Sequence, residues 1–324
     1  MTLPPRRALA IEARHVELAF GGGAGVFDLT FQAPEGAILG MIGPSGCGKT
    51  TTVRLMLGLY TPQKGALRVF GRNPAAFRAA DRERIGYIPQ QFVLYPNLTV
   101  AENIHFVAAL YGMPRQARAR RLEELLRFVE LAEAASRLGS QLSGGMQRRL
   151  MLAGALMHDP DLLFADEPTA GIDPVLRGRF WEYFRALRDQ GRTLFVTTQY
   201  VGEAAYCDYV AVMRRGRLIA VDTPEGLRRR ALGGEVIAVT VDAAHVLPAM
   251  DLLRRHPAVR DVRPSPGRAD RIHVYVEDAA GQLPAILNAL EYALEIIVHE
   301  ATEHRPSYDD VFITLMERAE EIED

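Results

Sequence analysis

The sequence predicts an α/β domain built on a largely parallel sheet, followed by a small α+β domain of ferredoxin-like order. Three patterns carry this reading. Residues 37–42 (AILGMI) form a short continuous apolar run suited to a buried strand, and they lead through the glycine-rich GPSGCGKTT into a helical pattern over 53–59. From residue 162 the patterns alternate: strand at 162–165, helix at 175–190, strand at 193–197, then short strands at 209–213 and 218–221. Beyond an arginine- and glycine-rich stretch at 228–234 the order becomes βαββαβ, with strands at 236–241, 259–263, 272–276 and 295–299 and helices at 247–255 and 283–294.

The remaining elements fit around these. Residues 11–31 read as two strands about a glycine-rich turn at 21–25. Residues 97–139 are mainly helical, with Leu122, Leu125, Leu126 and Val129 at helical spacing, and form a helical insert (about 92–145) beside the sheet. A closing helix covers 308–320. The expected domains are therefore 1–232 and 233–324, which suits a chain of 324 residues.

Composition narrows the class. The chain is 48% hydrophobic and 24% charged, with a net charge of -2, so no global electrostatic case exists for a nucleic-acid partner. Two cysteines, Cys47 and Cys207, do not make a disulfide framework and suit a reducing compartment. The best apolar run, residues 150–158, is about half of the ~18–20 needed to span a bilayer, and no signal peptide is expected. Among 38 basic residues only Lys49 and Lys64 are Lys. Genome composition explains the bias, and it makes each retained Lys informative.

Three motifs carry chemistry. Gly43, Gly48, Lys49 and Thr50 fit G-x-x-x-x-G-K-[ST] between a strand and a helix. Glycines let backbone N–H groups face phosphate, and the helix adds its positive N-terminal end. Lys49 would reach the β/γ-phosphates and Thr50 would ligate Mg²⁺; a compact ammonium is kept where a planar Arg fork fits badly. Next, an apolar strand at 162–165 ends in Asp166 and Glu167, where open α/β sheets bind ligands. Asp166 could hold Mg²⁺ through water, and Glu167 could take a proton from attacking water. Two acids after a strand also suit a solvated turn, and the phosphate loop upstream favours the functional role. Third, Ser143 before Gly144 and Gly145 reads as a helix cap, and equally as a second anion site.

GPSGCGKTT, LSGGMQ and LLFADEP, in this order, resemble the ATPase subunit of an ABC transporter over roughly residues 10–230. The resemblance implies ATP and Mg²⁺ as cofactors. Gly43, Pro44, Ser45, Gly46, Cys47, Gly48, Lys49, Thr50 and Thr51 would hold the phosphates, and Phe20 would stack on adenine. Gln90 would sense Mg²⁺ and the γ-phosphate, with its neighbour Gln91 as an alternative. Glu167 would be the catalytic base, and Asp173 would cross between subunits. Ser143, Gly144, Gly145 and Gln147 would act on the ATP held by a second copy of the chain or a paralogous ATPase, in a head-to-tail dimer. One position departs: the family's usual histidine after the strand at 193–197 is Gln199, which can donate an amide N–H but cannot titrate. Residues 95–100 are the candidate contact with a polytopic membrane permease. Such a subunit would sit peripherally on the cytoplasmic face of the inner membrane.

The C-terminal residues resemble the extension of bacterial drug- and antibiotic-resistance-type exporters, through PSYDDVF at 306–312 and through TTQY at 197–200. A dimerisation or regulatory role is expected for them, with small-ligand sensing, which a ferredoxin-like order also suits, as the alternative. Two other readings remain: a non-transport ABC ATPase, against which stand the lack of a long coiled-coil insertion and of a tandem nucleotide unit, and a nucleotide-binding regulator of weak turnover, which rests on Gln199.

Overall fold

The computed structural model describes residues 8–265 and 267–323. They divide into two compact units on either side of the junction between Thr223 and Pro224. The division lies ahead of the 232/233 boundary expected above, because the helix at Pro224–Leu232 packs with the second unit.

In the first unit, β1 (Leu9–Ala19) and β2 (Gly25–Pro34) form a hairpin, and β1 also pairs with β4 (Lys64–Val69), giving an antiparallel sheet ordered β2-β1-β4. The second sheet is ordered β5-β6-β7-β3-β8-β9. It comprises β3 (Ile38–Ile42), β5 (Ile85–Ile88), β6 (Leu162–Asp166), β7 (Thr193–Thr198), β8 (Tyr209–Arg214) and β9 (Arg217–Asp222). All neighbours are parallel except β8 and β9. The expected helix after the phosphate loop starts earlier than the pattern showed: α1 spans Lys49–Met56. A short α2 (Ala79–Glu83) precedes β5.

Period-two alternation sorts the strands between two layers. Leu39, Met41, Phe164 and Phe195 share a core with Leu29 and Phe31 of β2 and with Val53 and Met56 of α1. Against β3 and β7 packs α6 (Pro174–Asp189). Its Phe180, Trp181 and Phe184 are fully buried, and Trp181 stacks on Tyr206 at 5.2 Å. Trp181→Ala therefore removes a large side chain from a closed layer and lowers stability by about 3–5 kcal/mol. Urea unfolding followed by circular dichroism measures it; a loss under about 1 kcal/mol would contradict the packing.

The helical insert holds α3 (Val100–Leu110), α4 (Arg115–Phe128) and α5 (Gly144–Leu156), which pack on one another. Thr99 and Glu102 form a reciprocal capping box at the start of α3. Bonds from the Thr99 N–H and hydroxyl hold the Glu102 carboxyl below its usual pKa. Among the described residues no helix is long and apolar enough to cross a membrane.

The second unit contains α7 (Pro224–Leu232), β10 (Glu235–Val241), α8 (Val246–Leu253), β11 (Val259–Pro264), β12 (Arg271–Val276), α9 (Ala279–Leu294), β13 (Val298–His304) and α10 (Tyr308–Glu323). Its sheet is ordered β11-β12-β10-β13 and is antiparallel throughout, the ferredoxin-like arrangement. Ile237, Val239, Val241, Val262, Ile272 and Val274 face Met250, Leu253, Ile286 and Leu290 of α8 and α9. The last strand begins later than residue 295, because Glu295 caps α9 in the left-handed region (φ 53°). Ile296 turns into the core while Ile297 is exposed, so this apolar pair belongs to the connection.

Candidate active site

Four neighbouring parallel strands, β5, β6, β7 and β3, end on the same side of the sheet. Each delivers one part of the site just past its carboxyl end: Gln90 after β5, Glu167 after β6, Gln199 after β7 and the loop 43–48 after β3. Topology thus gathers residues that are far apart in the chain.

Glycine is required at two loop positions for different reasons. A Cβ on Gly43 would lie 2.3 Å from the Met213 carbonyl oxygen. Gly48 has φ 112° and leads into α1, and its Cβ would meet Met213 Cε at 2.7 Å. Their absent side chains let the loop close against β8 and turn directly into the helix.

The cleft, about 220 Å³, is lined by Phe20, Ala24, Gly25, Ser45, Gly46, Gly48, Lys49, Thr50, Thr51, Gln90 and Glu167. Lys49 is 3% exposed, and its Nζ donates to the Gly43 and Pro44 carbonyls at 2.8 and 3.1 Å. It also lies 3.1 Å from Glu167 Oε1, while Gln90 Nε2 donates to Glu167 Oε2 at 3.1 Å. The Glu167 backbone is left-handed (φ 48°), uncommon for a non-glycine residue. Its N–H is held by the Thr197 carbonyl and hydroxyl at 3.1 and 2.9 Å, which fixes that conformation. Thr197 in turn donates to Asp166 Oδ1 at 2.6 Å.

Asp166 is 1% exposed and stands beneath the floor, outside the lining of the cleft. Gln199 is tied to the loop, since Ser45 Oγ donates to its Oε1 at 3.0 Å. The guanidinium of Arg177 stacks on Tyr200 at 3.8 Å and steadies the segment that follows Gln199. Phe20, in the lining of the cleft, is 41% exposed and meets Tyr60 in a T-shaped contact with ring centroids 5.6 Å apart. Cys47 points inward: its thiol is buried, and burial raises its pKa. Its N–H bonds the Pro44 carbonyl at 3.3 Å.

Ser143, Gly144, Gly145, Gln147 and Asp173 do not line the cleft. They gather elsewhere. Ser143 caps α5 by accepting from the Met146 N–H at 3.3 Å, and Gln147 donates to the Gly139 carbonyl at 3.1 Å. Asp173 caps α6 by accepting from Val175 and Leu176 N–H at 3.0 Å. The ideal Cβ position of Gly145 lies 2.3 Å from Leu176 Cδ2, so the starts of α5 and α6 touch. Sequence reasoning missed Thr197 and Arg148. Arg148 donates to the Gln90 carbonyl and so links α5 to the Gln90 loop. No local pattern signals such a tertiary contact.

Thr50 and Gln90, both in the lining of the cleft, offer oxygen donors of the kind that fit a hard cation such as Mg²⁺.

Comparisons agree with this geometry. The ABC transporter family model matches residues 26–170. The probable multidrug ABC transporter ATP-binding protein YbhF of Escherichia coli is 36% identical over 76% of this chain. The chain spans only 43% of the length of YbhF. The Nod factor export ATP-binding protein I of Cupriavidus metallidurans is 34% identical over 95% of this chain and 97% of that protein. A solved structure of an ATP-binding cassette, dimeric and in a post-hydrolysis state with ADP and Pi, superposes with a TM-score of 0.60 at 25% identity. The match covers 66% of this chain and 98% of that one. With its phosphate loop, its acidic strand end and near full-length similarity to an ATP-binding protein of that family, this chain belongs to the ABC transporter family.

Proposed function

We propose that two copies of this chain, or one copy and a paralogous ATPase, close head to tail around two ATP molecules and that hydrolysis powers export through a separate membrane permease. The observation that carries the reading is the placement of Glu167, whose two oxygens are held by Lys49 and Gln90 at the cleft. From there its carboxylate accepts a proton as the water oxygen attacks the γ-phosphorus, and the bond to the bridging oxygen breaks to leave ADP. Lys49 offsets the negative charge of the β/γ-phosphates. When Mg²⁺ is bound, Thr50 and Gln90 would hold it from the lining of the cleft, with Asp166 reaching it only through water, and it would add to the neutralisation of phosphate charge.

The cluster of Ser143, Gly144, Gly145, Gln147 and Asp173, apart from the cleft of its own chain, supports a composite site. Exposed backbone at the N-terminus of α5 is suited to the phosphates of ATP held by the second copy. Residues 95–100 fit the permease contact. Asn103, fully buried, bonds the Tyr95 N–H and the carbonyls of Tyr95, Leu98 and Thr99, and so presents Tyr95, 50% exposed, on a fixed loop. Attachment to a permease places the chain at the cytoplasmic face of the membrane. Phosphate release by the purified chain, with and without Mg²⁺, tests the reaction. Its absence under all conditions would favour a nucleotide-binding regulator.

Gln199, outside the lining of the cleft but bonded to Ser45 within it, would read the γ-phosphate by its amide N–H and has no titratable proton. Gln199→Ala should lower turnover about tenfold, the loss of a hydrogen bond to a charged group. Turnover equal to wild type would remove Gln199 from the site.

A further inference from the structure

The second unit contains a cleft of about 470 Å³, within the size range of small-molecule sites. Its floor is the sheet face turned away from α8 and α9, carrying Arg263, His273, Tyr275 and His304, and α10 contributes Thr314 and Arg318. Leu232 of α7 closes one side. Stacking of Arg228 on the Tyr308 ring at 4.0 Å joins α7 to α10 and fixes the walls.

The floor is aromatic because of one small residue. His273 pairs with Ala238 of the central strand β10, and His304 pairs with its neighbour-but-one Val236. Ala238 leaves room for the two imidazoles to meet across β10, stacked with centroids 4.4 Å apart. Burial and the neighbouring His304 and Arg271 push the His273 pKa down to about 4, so its ring is neutral at pH 7. Burial and Arg271 lower His304 as well, against the opposing pull of Asp310.

Two cations flank the aromatic part of the floor, Arg263 on the edge strand β11 and Arg318 on α10. Arg263 lies 5.2 Å from the Tyr275 centroid, with Asp261 accepting from its Nε at 2.7 Å and orienting the guanidinium. Arg318 is held by a bond to the Arg230 carbonyl at 3.2 Å. Asp310 is the acidic residue in the lining, and its carboxylate already accepts from the Ser307 hydroxyl at 2.6 Å.

We propose that this cleft is a binding site for a small planar aromatic carboxylate, its ring on the His273–His304–Tyr275 floor and its charge toward Arg263 and Arg318. Flat neutral rings reward a flat aromatic partner, and guanidinium groups pair with carboxylate in a planar fork. The site lies wholly within the second unit and does not depend on the reading of the ATP cleft.

Titration calorimetry of the full chain with naphthoate tests it, with naphthalenemethanol as the uncharged analogue. One saturable site per chain is expected, retained in Lys49→Ala. Arg263→Gln and Thr314→Phe should each weaken it about tenfold, as should replacing the carboxylate by the alcohol. Because a variant can fail to fold, the histidine ring signals of the wild-type chain give a second readout, and His273 and His304 should shift on binding. No saturable binding, unmoved His273 and His304 signals, or equal affinity for naphthalenemethanol would overturn the proposal.

Discussion

Glu167→Gln lowers ATP turnover by roughly two to four orders of magnitude while leaving ATP binding close to wild type. The amide keeps the shape and the neighbours of Glu167 but cannot accept the proton of the attacking water. Lys49 and Gln90 hold the carboxylate at 3.1 Å each, so the substitution changes chemistry at a fixed position. The backbone explains the fixity. Glu167 is left-handed at φ 48°, and Thr197 clamps its N–H through both carbonyl and hydroxyl oxygens. Single-turnover phosphate release, alongside equilibrium binding of a fluorescent ATP analogue, separates the two effects. A loss of binding equal to the loss of turnover would mean that Glu167 supports the cleft and does not take the proton.

Lys49→Ala weakens ATP binding by up to about a hundredfold, the worth of a charge-assisted bond to phosphate. It also removes the cation beside a carboxylate that is 8% exposed, which leaves Glu167 without its 3.1 Å partner. Lys49→Arg should recover little of the affinity. The ammonium donates to two loop carbonyls at 2.8 and 3.1 Å, and a planar fork cannot repeat that geometry in a buried position. Titration calorimetry with ATP checks both variants, and near wild-type affinity in Lys49→Arg would show that charge alone suffices.

The parts of this site that were legible in the sequence are those fixed by local backbone demands. Gly43 and Gly48 announce the loop because a side chain there would strike Met213. Asp166 and Glu167 announce themselves by ending a strand whose other residues are wholly apolar and buried. Gln90 and Gln199 were legible only through resemblance, since nothing local marks a glutamine after a strand. Thr197 and Arg148 were not legible, because their roles arise where β7 meets β6 and where α5 meets the Gln90 loop. The same limit applies to the fold. Strand β4 (residues 64–69) is mostly exposed and buries only Leu67 and Val69, too short a pattern to mark a strand, although it completes the sheet ordered β2-β1-β4. Ile296 and Ile297 look like the start of β13, whereas one plugs the core and the other faces outward ahead of the strand.

A composite site is the central claim, and complementation between two inactive chains tests it most directly. Lys49→Ala removes the phosphate loop's cation, and Gly145→Asp places a negative side chain at the start of α5, next to Leu176. Each chain alone should show no turnover. In a head-to-tail pair of the two, one site joins an intact phosphate loop to an intact Ser143–Gly145 segment from the other chain, while the second site carries both defects. Mixing the purified variants should therefore restore phosphate release. If the mixture stays inactive although the chains pair, each chain builds its site alone and the composite account is wrong.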